Sequence, residues 1–297
     1  MNVIEMKQVT KVFGKHHALN ELDLSVMKGE VFGFIGPNGA GKSTAIRVLL
    51  GMLRTTDGTA TIFGKDVWRD AVEIHRRIAY VPGDVNLWPQ LTGGEVIDLF
   101  ASIQDNSDEN KRDELLVRFQ LDPTKKCRTY SKGNRQKVAL VAAFASDAEL
   151  FLLDEPTSGL DPLMEKVFQQ CVAEVKAEGK TVLLSSHILS EVEKLCDRVG
   201  IIRQGRLIEC GTLDELRHLT RMQLTVKTRM PIESLASWQG VYDAKLTEMG
   251  WTFHAATEEM ELIMQKLSSY GIQRIDSAPP TLEDLFMQHY EVESEEA

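Results

Sequence analysis

The sequence predicts an α/β protein in which a mostly parallel sheet carries a helical insert and is followed by a small α+β unit. Three observations predict this architecture. Short apolar runs alternate with segments of helical periodicity, a glycine-rich loop joins one such run to a helix, and the pattern changes after about residue 220. Continuous apolar runs are typical of strands that are buried on both faces of a parallel sheet, whereas half-exposed strands alternate.

The first 35 residues have the pattern of strands that lead into the glycine-rich loop. VIEMKQV alternates polar and apolar residues, and VFGFI at 31–35 is an apolar run between glycines. GPNGAGKST comes next, and then AIRVLLGML, whose apolar residues recur at helical spacing. The predicted order is therefore strand, glycine loop, helix.

The middle of the chain predicts a further strand and then the helical insert. HRRIAYVPGD reads as a strand ended by Pro82 and Gly83. LTGGEVIDLFASI reads as a helix in which Thr92 and Glu95 form a capping box. Helical patterns continue to about residue 145, apart from a polar link at 105–110. We expect this insert to interrupt the sheet.

The pattern of buried strands returns after the insert. ELFLLDEP at 149–156 is an apolar run, a helix is predicted at roughly 162–177, and TVLLSSH at 181–187 is a second apolar strand. Strands that alternate with crossover helices form parallel sheets with helices on both faces. The order of elements therefore predicts such a sheet.

The last quarter of the chain has a different pattern. MQLTVKT, WTFHAAT and IQRIDSA predict strands, and EEMELIMQKLSSYG predicts an amphipathic helix that ends at Gly271. TLEDLFMQHY predicts a last helix before an acidic tail. We therefore expect two domains, one over residues 1–220 and a small α+β domain over residues 221–297.

Composition and charge narrow the class of protein. The chain has 34 Lys+Arg and 44 Asp+Glu, a net charge of −10, which argues against nucleic acid as its partner. The sequence shows no apolar run of about 18 residues and no secretory signal, so we expect a cytosolic protein. Four cysteines without CxxC spacing predict buried or half-buried thiols rather than disulfides or a metal site. They are Cys127, Cys171, Cys196 and Cys210.

The glycine-rich loop fits the phosphate-binding pattern G-x-x-x-x-G-K-[ST] without a mismatch. Glycines let successive backbone N–H groups turn inward at a helix N-terminus, where they hold phosphate oxygens. Lys42 is expected to reach the β- and γ-phosphates, and the Ser43 hydroxyl is expected to bind Mg²⁺. The loop alone leaves kinases, GTPases and transport ATPases open. The predicted nucleotide-binding set is Gly36, Pro37, Asn38, Gly39, Ala40, Gly41, Lys42, Ser43 and Thr44.

Two strand ends carry the other candidate catalytic groups. Asp154 follows a run of apolar residues, and its carboxylate is expected to hold Mg²⁺ beside the phosphate loop. Glu155, the next residue, can polarise the water that attacks the γ-phosphate. His187, at the end of another apolar strand, can hydrogen-bond the γ-phosphate. Lys42, Glu155 and His187 are therefore the candidate catalytic residues.

Five motifs in a fixed order resemble those of the ATP-binding subunit of ABC transporters, over roughly residues 3–215. They are GPNGAGKST, YSKGNRQK, FLLDEP, SGLD and SSH. The resemblance implies a RecA-like P-loop core, an N-terminal antiparallel β part and a helical signature subdomain at about residues 90–145. It also implies ATP and Mg²⁺ as cofactors, with Phe13 where the family has an aromatic ring against adenine.

The resemblance further implies a head-to-tail dimer that closes around two ATP molecules. Each ATP would lie between the phosphate loop of one subunit and Ser131 and Gly133 of the other, and Asp161 would communicate between the two sites. The second cassette is expected from another copy of the chain or from a paralogous subunit. The implied partner is an integral-membrane permease that holds the motor at the cytoplasmic, inner face of the cell membrane.

The sequence departs from the family pattern at two places. The signature, usually LSGGQ, reads YSKGN here, so that Lys132 adds a positive charge between Ser131 and Gly133. The glutamine expected after IAYVP is replaced by Gly83 and Asp84. The side chain that would bind Mg²⁺ and sense the permease is therefore missing at Gly83, and Asp84 is a hypothetical substitute.

The end of the chain indicates the kind of transporter. PTLEDLFMQHY resembles the C-terminal part of cassettes that serve drug, antibiotic or lipid-polymer exporters. We therefore expect an ATPase that drives an exporter and docks on its permease near residues 83–100, with Trp88 and Leu91 as candidate contacts. Two alternatives stay open, a soluble ABC-type ATPase that acts on ribosomes or DNA and the motor of an importer. The sequence does not identify the transported substrate.

Overall fold

The computed structural model describes residues 1–103, 109–218 and 222–278. The chain divides into two compact units, Met1–Cys210 and Gly211–Ala297. The boundary predicted at residue 220 lies outside the described residues and stays a prediction. Within the described ranges, no helix is long and apolar enough to cross a membrane.

The first unit combines two sheets with helices that connect their strands. Its elements in chain order are β1 (Asn2–Phe13), β2 (His16–Met27), β3 (Val31–Ile35), α1 (Lys42–Leu49), β4 (Asp57–Ile62), β5 (Lys65–Asp66), α2 (Ala71–His75), β6 (Ile78–Val81), α3 (Gly93–Ile103), α4 (Glu109–Arg118), α5 (Lys132–Phe144), β7 (Leu150–Asp154), α6 (Pro162–Ala177), β8 (Thr181–Ser186), α7 (Leu189–Leu195), β9 (Arg198–Arg203) and β10 (Arg206–Thr212).

The larger sheet has the strand order β10-β9-β3-β8-β7-β6. β9, β3, β8, β7 and β6 pair in parallel, and every residue of β3, β7 and β8 is buried. The continuous apolar runs account for most of this burial, and the buried polar residues Asp154 and Ser185 at the strand ends are hydrogen-bonded to each other. The mostly parallel sheet that the sequence predicts is confirmed, and its central strands end at the phosphate loop, at Asp154 and just before His187.

The N-terminal antiparallel sheet has the order β2-β1-β4-β5. Its inward side chains, such as Leu22 and Leu24, join one buried cluster with Phe34 of β3 and Ile46 of α1. Each fully buried side chain of this kind contributes about 1.5–3 kcal/mol. The cluster therefore holds the N-terminal hairpin and the helix after the phosphate loop in a fixed position on the parallel sheet.

The helical insert is built from α3, α4 and α5. The capping box at its start is confirmed, because the Thr92 N–H donates to Glu95 Oε2 at 2.6 Å and the Glu95 N–H donates to Thr92 Oγ1 at 3.1 Å. A bidentate ion pair ties α4 to α6, with both N···O distances between Arg118 and Glu174 at 2.8 Å. Most of the polar link expected at 105–110 lies outside the described residues.

The second unit is a four-stranded sheet with the order β12-β13-β11-β14, in which the described pairs are antiparallel. Its buried core joins the sheet to the last described helix, with Leu224, Phe253 and Ile263 among its members. The helix expected at TLEDLFMQHY and the acidic tail lie outside the described residues. The elements are α8 (Leu213–His218), β11 (Met222–Thr228), β12 (Val241–Thr247), β13 (Gly250–Ala255), α9 (Met260–Ser269) and β14 (Ile272–Ala278).

None of the four cysteines, all of which lie in described parts of the chain, forms a disulfide, as the sequence predicts. Cys127, Cys171 and Cys196 are buried, and burial raises the pKa of Cys171 to about 12. The expected burial is wrong for Cys210, which is exposed on β10. Alternate side chains of this strand are exposed, as along a half-covered strand.

Candidate nucleotide-binding and catalytic site

The phosphate loop joins β3 to α1 and holds a buried lysine. Lys42 Nζ donates to the carbonyl oxygen of Gly36 at 2.6 Å and to that of Pro37 at 3.2 Å. Burial lowers the pKa of the Lys42 ammonium below its ordinary value, and the nearby Glu155 and Asp154 oppose this shift. The loop therefore presents a desolvated cation whose attraction for a phosphate oxygen is stronger than it would be in water.

A pocket of about 300 Å³ opens over this loop. Besides loop residues, Phe13, His16 and Ala18 of the N-terminal hairpin and Glu155 line it. Phe13 is about half exposed, and Lys11 Nζ lies over its ring, 5.0 Å from the ring centroid. The structure thus brings the predicted Phe13, Lys42, Ser43 and Glu155 together around one pocket.

Asp154 is the last residue of β7 and is buried. It pairs in the sheet with Ser185 of β8, whose Oγ donates to Asp154 Oδ1 at 2.5 Å. A buried carboxylate needs such a donor, because an unpartnered charge away from water is costly. Sequence reasoning missed Ser185, although SSH in a buried strand is a signal, since small hydroxyl residues there need buried partners.

Glu155 leaves the strand with a backbone φ of +47°, in the left-handed region. A residue other than glycine costs of order 1–3 kcal/mol in such a conformation, so the surroundings must hold it there. The Glu155 N–H donates to the carbonyl oxygen and to the hydroxyl of Ser185, both at 3.1 Å. These hydrogen bonds turn the Glu155 side chain towards the phosphate loop.

The Glu155 carboxylate lies between two candidate catalytic groups. Its Oε1 is 3.7 Å from Lys42 Nζ and 3.3 Å from His187 Nδ1. His187 comes directly after β8, and its side chain is half exposed. The structure therefore gathers Lys42, Glu155 and His187 at one edge of the parallel sheet, where strands end and ligands bind in α/β proteins.

Ser131 and Gly133 lie at the start of α5 and do not line this pocket, and neither does Asp161. Ser131 caps α5, with its Oγ accepting from the Asn134 N–H at 3.3 Å. Asp161 caps α6, with Oδ1 accepting from the backbone N–H groups of residues 163 and 164 at 3.0 and 3.1 Å. These three predicted nucleotide contacts are thus separate from the chain's own phosphate loop.

Gly83 lies against the strand that carries the acidic residues. A Cβ at this position would be 3.1 Å from the Asp154 carbonyl oxygen and 3.6 Å from the Glu155 Cβ. Asp84, the hypothetical substitute for the missing glutamine, is exposed and lies 3.5 Å from Asn86 Nδ2. Within the described part of the chain, no three His, Cys, Asp or Glu side chains form a cluster that could hold a metal ion.

An apolar groove of about 330 Å³ lies beside the site, between the sheet edge and the helical insert. Val85, Leu87, Phe100 and Ile103 are among its lining residues. The candidate Trp88 is about half exposed, with its ring centroid 6.3 Å from that of Phe100, and the candidate Leu91 is partly buried. Neither of them lines the groove. Phe100 lies within the range 83–100 in which the sequence predicts docking, and Ile103 lies just beyond it, although neither was named as a candidate contact. Docking on this surface stays a prediction.

Family models match two parts of the chain. Residues 19–158 match the model described as ABC transporter. Residues 211–290 match the model described as the C-terminal domain of DrrA1-3-like ATP-binding proteins.

Curated relatives match over most of the chain. Daunorubicin resistance ATP-binding protein DrrA3 of Streptomyces coeruleorubidus is 34% identical, over 93% of this chain and 92% of that protein. Bacitracin transport ATP-binding protein BcrA of Bacillus licheniformis is 36% identical, over 75% of this chain and 74% of that protein. Nod factor export ATP-binding protein I of Rhizobium etli is 31% identical, over 97% of this chain and 93% of that protein.

Solved structures match over 71–73% of the chain. An ATP-binding subunit of an ABC transporter is 34% identical with a TM-score of 0.69, over 73% of this chain and 92% of that one. The dimeric structure of the bacterial ABC transporter cassette MJ0796 is 26% identical with a TM-score of 0.66, over 71% of this chain and 98% of that one.

Proposed function

The chain belongs to the ATP-binding subunits of ABC transporters, and from this premise we propose that it is the motor of an exporter of drugs, antibiotics or lipid-linked compounds. It is an ATPase that binds ATP and drives a membrane permease. The main support for export as the direction of transport is the match of residues 211–290 to the C-terminal domain of DrrA-like proteins. The names of three relatives, which refer to bacitracin transport, daunorubicin resistance and Nod factor export, agree with it.

We assign the steps of hydrolysis to the residues around the pocket. Lys42 binds the β- and γ-phosphates, Glu155 polarises the attacking water, and His187 hydrogen-bonds the γ-phosphate. The distances of 3.7 and 3.3 Å from Glu155 Oε1 to Lys42 Nζ and to His187 Nδ1 support this assignment. Phe13, with its half-exposed ring in the same pocket, stacks on the adenine.

Ser43 and Asp154 would hold Mg²⁺ in this site. A hydroxyl and a carboxylate are oxygen ligands of the kind that Mg²⁺ takes, and the ion obtains its remaining ligands from phosphates and water. The Ser185 hydroxyl fixes one oxygen of the Asp154 carboxylate, which orients the other. The ion would neutralise charge on the phosphates during hydrolysis.

We propose that the working unit is a dimer in which Ser131 and Gly133 of one subunit bind the ATP held by the other. Both residues lie outside the pocket of their own chain, at the start of a 13-residue helix whose first N–H groups favour an anion. Asp161, in the loop that follows Glu155, then connects the two sites. The second subunit is another copy of the chain or a paralogue.

The apolar groove beside the site is the surface on which we place the permease. Its exposed aromatic and aliphatic side chains, Phe100 at 40% and Ile103 at 65% exposure, suit a segment of a protein partner. The permease would hold residues 1–220, the ATPase domain, at the inner face of the membrane. Residues 221–297 form an accessory domain in this proposal.

Recovery of the partner from native membranes tests the function. Tagged Glu155→Gln protein is incubated with detergent-solubilised membranes and Mg-ATP, and co-purifying proteins are identified. The expected result is a multi-span membrane protein at fixed stoichiometry, which is recovered less well when an exposed residue of the proposed docking groove is replaced, as in Ile103→Asp. Recovery of ribosomes or DNA instead, with an intact ATP-bound dimer, would refute the transporter assignment.

A further inference from the structure

The start of α5 contacts the turn that follows Glu155. Lys132 Nζ donates to Ser158 Oγ at 2.7 Å. One residue further, the two backbones approach so closely that a Cβ on Gly133 would be 2.4 Å from the Gly159 carbonyl oxygen. Only glycine fits at position 133, because the neighbouring atom is backbone and cannot move aside cheaply. The helix start and the turn at 156–160 are therefore in direct contact.

A buried hydrogen bond makes a third point of attachment. Gln136, one helical turn after Lys132, is 1% exposed and its Nε2 donates to the Pro156 carbonyl oxygen at 3.0 Å. Pro156 is bonded directly to Glu155. Because contacts at Pro156, Ser158 and Gly159 fix three points of one short turn, the turn cannot shift relative to α5 without breaking at least one of them.

The Lys132 contact is accessible, unlike the hydrogen bond of the Gln136 amide. Lys132 is exposed and Ser158 is half-buried, whereas the Gln136 amide is enclosed. Lys132 does not line the nucleotide pocket of its own subunit, so its ammonium does not reach the reacting atoms there. Lys132, which stands where the signature usually has a glycine, therefore holds the 156–160 turn in this structure.

We propose that Lys132 is a positioning residue that couples the two ATP sites of the dimer through Ser158. This inference rests on the proposed dimer, in which Ser131 and Gly133 bind the partner's ATP. When that ATP orders the start of α5, the Lys132–Ser158 hydrogen bond moves the 156–160 turn with it. The turn follows Glu155 directly, so ATP bound at one site sets the position of the general base at the other.

A double-mutant cycle on the full chain tests this role. Lys132→Met, Ser158→Ala and the double variant are compared with wild type in ATP hydrolysis over a range of ATP concentrations. We expect each single variant to lower kcat about fivefold, as for the net contribution of about 1 kcal/mol from one typical hydrogen bond, with KM little changed. The double variant should be no slower than either single variant, and the Hill coefficient for ATP should fall towards 1 in all three.

Two further variants separate positioning from a general effect of charge or folding. Lys132→Arg keeps a donor for Ser158 and should retain most of the activity. Lys125→Met removes the same charge from an exposed lysine that precedes α5 and should behave as wild type. Melting temperatures should agree closely among the variants, because the substituted side chains lie at or near the surface.

Measurement of ATP-dependent dimerisation in the Glu155→Gln background distinguishes this proposal from its main alternative. If Lys132 acted directly on the partner's phosphates, Lys132→Met would weaken the dimer and Ser158→Ala would not. The proposal predicts that Lys132→Met and Ser158→Ala dimerise equally. A weaker dimer with Lys132→Met alone would overturn the proposal, and so would additive effects of the two substitutions on kcat. A wild-type chain that does not hydrolyse ATP would refute the proposed function, and this inference with it, whereas the other failures refute this inference alone.

Discussion

Replacing Ser185 with alanine removes the hydroxyl that positions both acidic residues. This hydroxyl is fully buried, donates to Asp154 Oδ1 at 2.5 Å and accepts from the Glu155 N–H at 3.1 Å. After Ser185→Ala the Glu155 N–H keeps the carbonyl oxygen of the same residue as an acceptor, also at 3.1 Å. The loss therefore falls mainly on the Asp154 carboxylate, which stays buried without this donor.

The size of the effect follows from the charge on Asp154. A hydrogen bond to a charged group contributes about 1.5–3 kcal/mol, so the melting temperature should fall by roughly 3–10 °C. We expect kcat for ATP hydrolysis to fall about 10–100-fold, because groups that orient a metal-binding carboxylate have effects of this size. The concentration of Mg²⁺ needed for half-maximal activity should rise as well.

The neighbouring serine provides the matched control. Ser186 is also buried, but its Oγ donates to Glu191 Oε2 at 3.0 Å and accepts from the Ile188 N–H at 2.9 Å. Ser186→Ala is therefore expected to lower the melting temperature to a similar extent while keeping kcat and the Mg²⁺ dependence near those of wild type. Equal losses of kcat in both variants, or wild-type kinetics for Ser185→Ala, would refute the reasoning.

The structure makes three further predictions. Lys42→Ala should raise the Kd for ATP about 10–100-fold in a calorimetric titration. Glu155→Gln should leave that Kd unchanged and lower kcat about 10²–10⁴-fold, and normal turnover by this variant would exclude Glu155 as the general base. Arg118→Ala breaks an ion pair whose partner, Glu174, is half exposed. The free energy of unfolding should therefore fall by about 0.5–1 kcal/mol at low salt and by less in about 1 M NaCl, where the salt screens the pair. Burial raises the pKa of Glu191, so its ionisation disfavours the folded state and unfolding free energy falls as pH rises from the unfolded to the folded pKa. Glu191→Gln should therefore raise the melting temperature above that of wild type near pH 7. This gain should shrink near pH 4, where the wild-type carboxyl is mostly protonated in the folded and the unfolded state, and a gain that does not depend on pH would contradict the prediction.

Local patterns were enough to predict the central fold. The helix predicted at 162–177 is α6, Pro162–Ala177, because an N-terminal Asp-Pro pair and apolar residues at helical spacing define it within its own sequence. The capping box at Thr92 and Glu95 is likewise local. β12 was missed, since Val241 is its only buried residue and an edge strand of this kind has no alternating apolar pattern.

The geometry of the site could be predicted only in part. The positions of the motifs at the ends of apolar strands predicted that Lys42, Glu155 and His187 would lie close together, because the carboxyl ends of parallel strands are at the same side of the sheet. The Ser185–Asp154 hydrogen bond depends on the register between β8 and β7, and the Lys132–Ser158 hydrogen bond joins residues 26 apart in the chain. Neither register nor long-range contact is fixed by local pattern. The catalytic roles themselves stay predictions.

Gly83 stands where the resemblance to the family implies a glutamine, and the absence of a side chain there affects the packing of its loop. The loop after β6 lies against the backbone of Asp154 at Gly83, and two residues later the same loop reaches the apolar groove with the buried Val85. A side chain at position 83 would meet the Asp154 carbonyl oxygen at 3.1 Å, so glycine permits the closest approach of the loop to the acidic residues. The same loop therefore contacts the strand end that carries the acidic residues and also lines the apolar groove.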